Sequence, residues 1–94
     1  MNNRITQKDL EQLVKIINNR TKSPQEPYNE SRQANIGNYH LDYAYGGVKL
    51  VQMCNKHGGI RTISDGGYGT KRELYNWMNA FLAGMEEWKF NNES

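Results

Sequence analysis

The chain has 94 residues, enough for one small core and too few for a second, so a single domain over 1–94 is expected. Hydrophobic residues at 36% and aromatics at 11% exclude a disordered composition, and a net charge of +2 falls short of the single-sign balance that would by itself point to nucleic acid. The single cysteine, Cys54, excludes an internal disulfide framework, no apolar run nears the ~20 residues of a membrane helix, and MNNRITQKDLEQ has no apolar signal core, so a soluble cytoplasmic protein with no membrane partner is expected.

The first predicted element is a helix from about Gln7 to Asn19. Thr6 is its N-cap with Asp9 completing a capping box, and Ile5 can staple onto Leu10. Leu10, Leu13, Val14 and Ile17 recur at helical spacing and form the face that must be covered. From about 20 to 37 the pattern is lost. This stretch is polar, holds Pro24 and Pro27, and shows neither period, so it reads as a long solvated loop in which Arg20, Lys22 and Arg32 could supply basic reach.

Strand signals begin at Tyr39. Tyr39, Leu41, Tyr43 and Tyr45 alternate with His40, Asp42 and Ala44, and Gly46-Gly47 can form a two-residue turn into VKLVQMC. That turn would set Tyr45 opposite Val48, Tyr43 opposite Leu50 and Tyr39 opposite Cys54. IRTIS, β-branched and short, follows as a third strand.

A glycine-rich turn then feeds a second helix, DGGYGTKRELYNWMNAFL. Thr70 and Glu73 form another capping box, and Leu74, Trp77, Met78, Phe81 and Leu82 share one face. Gly84 could end this helix, whereas Met85 and Trp88 continue the stripe to about Lys89; residues 91–94 are expected to fray. The expected fold is therefore α+β, a two-layer sandwich of order α-β-β-β-α, with a three-stranded antiparallel meander packed against two helices. Trp77, Phe81, Leu13 and Ile17 would meet Tyr43, Leu50 and Ile60 in the core.

The chemistry concentrates at the start of the second helix. Lys71 and Arg72 occupy its first turn, where unpaired N–H groups and the helix dipole favour anions. An anion from a partner, held by Gly67, Tyr68, Gly69, Thr70, Lys71 and Arg72, would relieve that conflict, with Lys56, His57 and Arg61 as a supporting basic patch. Cys54, His57 and Asp42 or Asp65 do not make a convincing metal set, and a buried thiol is the expectation for Cys54. Gly-Thr-Lys reverses the Gly-Lys-Thr order of a nucleotide-hydrolase phosphate loop. No catalytic constellation, metal or cofactor is expected.

The element order, with Gly67-Tyr68-Gly69-Thr70-Lys71-Arg72 opening the last helix, resembles the double-stranded RNA-binding domain. That resemblance implies phosphate contacts by Thr70, Lys71 and Arg72, with Lys56 and His57 as helpers. Bulky Leu74 and Tyr75 replace the family's later Ala and Lys, and the Gly46-Gly47 turn is tighter than its groove-reading loop. Separately, Gly37 to Gly84, especially YHLDYAYGGVKLVQM and GTKRELYNWMNAFLAG, resembles small accessory proteins of tailed bacteriophages and prophages. This implies a non-enzymatic binder of a host or phage protein in the bacterial cytoplasm.

Two function classes follow. A protein-binding module would use the aromatic sheet edge or the glycine turn, with Tyr28, Tyr39, Tyr68, Tyr75 and Trp88 as surplus anchors, and a homodimer would use the same surface. The alternative is double-stranded RNA or DNA binding through Lys71, Arg72, Arg61, Lys56 and Arg32, with steep salt dependence.

Overall fold

A computed structural model describes residues 4–92 of the chain, with side chains through Trp88. Its elements are α1 (Gln7–Arg20), β1 (Tyr39–Ala44), β2 (Gly47–Met53), β3 (Ile60–Thr62) and α2 (Lys71–Asn92). The fold is α+β, with one antiparallel sheet of order β1-β2-β3. Both helices pack on the same sheet face, α1 against β1 and α2, and α2 against β2.

Both helix starts follow from their capping boxes. The Thr6 hydroxyl accepts from the Asp9 N–H at 3.2 Å, and the Asp9 carboxylate accepts from the Thr6 N–H at 2.9 Å. Thr70 and Glu73 repeat the exchange at 3.1 and 3.0 Å. The backbone N–H groups of Thr6 and Thr70 are the main reason that the Asp9 and Glu73 carboxyls lie below their ordinary values. A carboxylate with a lowered folded-state value stabilises above its unfolded value, and this stabilisation fades as pH falls through the folded one. Thermal melts of wild type and Glu73→Gln should therefore differ near pH 7 and converge as pH falls below the ordinary glutamate range. Parallel curves across that range would show that the exchange with Thr70 contributes nothing.

α2 passes through Gly84 and on to Asn92, so the helix continues where an end was one option and beyond the expected start of fraying at Asn91. Residues 93 and 94 of the expected fray lie outside the described range. The core is smaller than the aromatic content suggests. Leu10, Leu13 and Ile17 of α1 meet Leu74, Met78 and Leu82 of α2 over Tyr39, Val48 and Leu50. Trp77 and Phe81 only flank this cluster, stacked on each other at 5.0 Å. Tyr43 and Ile60, expected inside, are exposed. Tyr43 lies on the outermost strand, and β3 is three residues long with no residue in the core.

The hairpin turn is one residue earlier than its glycines suggest. Tyr45 and Gly46 occupy it, with φ of 55° and 73°, the two positive values that a primed turn requires. Ala44 pairs with Gly47, Tyr43 with Val48, Leu41 with Leu50 and Tyr39 with Gln52. The expected register is thus displaced by two residues, which preserves every side chain's face. Gly47 is needed inside the strand for a different reason: a Cβ there would lie 3.0 Å from the Gly69 carbonyl and 3.1 Å from the Tyr68 Cβ.

The long polar stretch is largely exposed, and its backbone is held by specific hydrogen bonds. Tyr28 and Ala34 form a bridge around a small turn in which the Asn29 carboxamide oxygen accepts from the N–H groups of Ser31 and Gln33. Buried Asn38 donates to the Pro24 carbonyl at 2.8 Å, and its carboxamide oxygen accepts from His40 Nδ1. Its own carbonyl accepts from Met53 at 2.8 Å, and the Ala34 N–H reaches the Lys56 carbonyl. The sheet is covered on this side too, since Val51 and Met53 point away from the helix-side cluster yet are fully buried.

Candidate functional site

The glycine turn reaches the sheet through Gly69, which exchanges both backbone hydrogen bonds with Val48 at 3.0 and 3.1 Å. This fixes the start of α2 beside the β1–β2 turn. Between them lies a groove of about 890 Å³, lined by Gly46, Gly47, Gly69, Thr70, Lys71 and Arg72 on one side and by Arg4, Ile5 and Tyr43 on the other. Arg4 arrives from the segment before α1, so three cations from two distant parts of the chain border one opening. Sequence spacing carries no signal for Arg4, because only packing of α1 on β1 brings it here.

Gly67 and Tyr68 do not line this groove. Tyr68 folds over the other face of the hairpin, where its hydroxyl donates to Asp42 at 2.5 Å and its ring carries the Lys49 ammonium at 4.4 Å from the centroid. Asp42 and Lys49 are cross-strand partners, and Tyr45 meets the Tyr68 ring edge-on at 5.5 Å. Donation to Asp42 is the main cause holding the Tyr68 hydroxyl above its ordinary value. Tyr68 therefore fastens the glycine turn to the sheet, and Gly66 and Gly67, with φ of 79° and 69°, give the backbone the reversal that this requires.

The supporting basic residues are placed elsewhere. Lys56 and His57 sit in the β2–β3 loop, at the end of β2 opposite Gly47. A strand of seven residues spans about 23 Å at ~3.3 Å per residue, so the sheet separates them from Lys71 and Arg72. The Arg61 guanidinium is occupied by Gln52 Oε1, through Nε at 3.1 Å and Nη2 at 2.8 Å. Cys54 is exposed, contrary to the buried thiol expected, because it leaves β2 at the loop; its Sγ donates to the Gly59 carbonyl at 3.2 Å. Among the described residues no three His, Cys, Asp or Glu side chains gather as a metal set.

A second groove, of about 660 Å³, runs between α1 and β1. Gln7, Glu11, Val14 and Lys15 form one wall, Tyr39 to Leu41 and Tyr43 the other, and Gln25 to Pro27 close its end. Burial holds the His40 imidazole below its ordinary value, against the opposing pull of the Asp42 carboxylate. Burial and the Glu11 carboxylate hold the Tyr43 hydroxyl above its own. Tyr43 lines both grooves, so they adjoin at this side chain.

Of the surplus aromatics, Tyr39 enters the core, Tyr28 and Trp88 are exposed, and Tyr75 is half-buried. No described helix is long and apolar enough to cross a membrane. No family description, curated protein or solved structure matches this chain.

Proposed function

We propose that the chain is a small non-enzymatic interaction module, of the accessory kind that its resemblance to phage-encoded proteins implies, which binds a protein partner by taking an anionic group into the glycine groove. The observation that carries this reading is the convergence of Arg4, Lys71 and Arg72 on one opening whose floor includes the backbone of Gly46, Gly47 and Gly69. Glycines let a partner approach the backbone closely, and cations facing a helix start are relieved by an opposing carboxylate or phosphate. Favourable interactions of this kind are individually worth ~0.3–1 kcal/mol, so affinity depends on further contacts around the anion.

A protein is favoured over a duplex because the basic residues do not form one stripe. Lys56 and His57 are at the far end of the sheet, and Arg61 is engaged by Gln52. A duplex reader needs cations placed to follow the phosphate backbone.

Titration of isotopically labelled protein with blocked tetraglutamate should move the amides of Gly46, Gly47, Gly69 and Thr70. The double variant Arg4→Glu/Lys71→Glu should weaken that binding by about tenfold, roughly 1.4 kcal/mol. Silence of those four amides overturns the groove. A gel shift against double-stranded RNA, duplex DNA and single strands forms the second arm. Retention that falls steeply with salt and is lost in Lys71→Glu/Arg72→Glu would assign the groove to nucleic acid instead.

A further inference from the structure

We propose that the outer edge of β1 is a strand-addition site for an extended segment of a partner protein, with an acidic residue at the end that reaches the glycine groove. This rests on the reading of the chain as a protein-binding module and adds the form in which the partner is presented.

The edge is identified by the alternation of the ladder. Met53 donates to the Asn38 carbonyl, and β2 spends the N–H groups of its even-numbered residues Val48 and Leu50 on the β3 side. The even residues of β1 therefore face β2, and Tyr39, Leu41 and Tyr43 direct their N–H and C=O groups outward. The Asn18 carboxamide satisfies Tyr39 completely, accepting from its N–H at 2.8 Å and donating to its carbonyl at 3.0 Å. This side chain stands where the next strand's backbone would stand. Leu41 and Tyr43 have no such partner, and no hydrogen bond to their outward groups is present among the described residues. Four backbone groups thus line the 660 Å³ groove in the arrangement that an added strand uses.

The walls define the occupant. α1, 14 residues and about 21 Å long, runs beside six-residue β1 of about 20 Å, which is room for about six residues of an extended chain, the form that the outward backbone groups of Leu41 and Tyr43 call for. Val14, Leu41 and Tyr43 offer apolar contact to alternate side chains. Arg4 and Lys71 border the Ala44 end, so the segment is acidic there; Glu11, Lys15 and Glu26 along the rest of the groove are of mixed sign and leave the other end unspecified.

A second copy of this chain fits poorly. A twofold pairing of Leu41 with Tyr43 would set Asp42 against its own counterpart, and like charges directly opposite destabilise a sheet. Shifting the register one way calls on Tyr39, which Asn18 already occupies, and the other way on Tyr45, which sits in the turn at φ 55°.

The probes are two blocked hexapeptides, acetyl-Glu-Thr-Val-Thr-Val-Lys-amide and its reverse, titrated into the labelled full chain. The first, which suits antiparallel addition, should move the Leu41 and Tyr43 amides and slow their hydrogen exchange more than the reverse does. N-methylation of alternate probe residues should weaken binding by about tenfold, and N-methylation of the intervening ones should leave it nearly unchanged, as one strand face alone bonds to β1. Unmoved Leu41 and Tyr43 amides with both peptides at millimolar concentration overturn the proposal. Protection of both amides in peptide-free protein that sediments at twice the chain mass also overturns it, by giving the edge to a second copy. Replacing the probe's Glu with Gln separates the two readings. Equal binding with Leu41 and Tyr43 still moved supports the edge and overturns the anion groove; shifts confined to Gly69 and Thr70 with the Glu probe, and lost with the Gln probe, do the opposite.

Discussion

Asn18→Leu is expected to lower the melting temperature by about 12–24 °C. The side chain is fully buried at the end of α1 and makes both hydrogen bonds to the Tyr39 backbone, at 2.8 and 3.0 Å. Leucine fills nearly the same space but offers neither donor nor acceptor, so a backbone N–H and C=O in a buried setting lose their partners. Each such loss costs roughly 1–3 kcal/mol, giving about 3 kcal/mol for the pair. In a domain of 60–100 residues each kcal/mol corresponds to roughly 4–8 °C. The neighbouring exposed Asn19 provides the control, since Asn19→Leu should stay within about 0.5 kcal/mol. Equal melting temperatures for the two variants would mean that water replaces the carboxamide and that the edge of β1 is open as far as Tyr39.

Met78→Ala should be comparably damaging, at about 3 kcal/mol within the 2–5 kcal/mol range for a buried Met or Leu truncated to Ala. Met78 is fully buried at the centre of the α2 stripe, among Leu10, Leu13, Ile17, Leu74, Leu50 and Val48. The close packing of such a site leaves a cavity that its neighbours fill only in part. Trp77→Ala should cost less, about 1–2 kcal/mol, although it removes a larger side chain. Trp77 lies at the margin and is held mainly by stacking on Phe81. Urea midpoints read at constant slope would rank the two. A larger loss in the Trp77 variant would show that the helix presents a different stripe to the sheet.

These two substitutions mark the limit of what spacing reveals. The helical period placed Trp77, Met78, Phe81 and Leu82 on one face, but it could not say which of them would reach the sheet. Crossing geometry decided that, and it chose Leu74, Met78 and Leu82. The same applies to the turn. Gly46 and Gly47 are equivalent turn formers in the sequence, and the register depends on Gly47 being required against the Gly69 carbonyl, a residue 22 positions away. Within the candidate site, Thr70, Lys71 and Arg72 were legible because a capping box and a local charge conflict are written in adjacent residues. Arg4, the two grooves and the role of Tyr68 as a clasp on Asp42 were not, because each joins segments that only the packed helices bring together.

The loop before β1 shows why composition misleads. Asparagine and proline mark any connector, solvated or built, and Asn29, Asn35 and Asn38 act here as stand-ins for backbone. The sequence by itself determined the α+β class, both helix starts with their capping boxes, the order of the five elements and the faces of the hairpin, because these depend on hydrogen bonds and periodicities spanning only a few residues. Tertiary structure alone decided the register, the membership of the core, the order of the 20–37 segment and the open edge of β1, because each is a contest among distant groups for one place, settled by volume and hydrogen-bond satisfaction when the layers close.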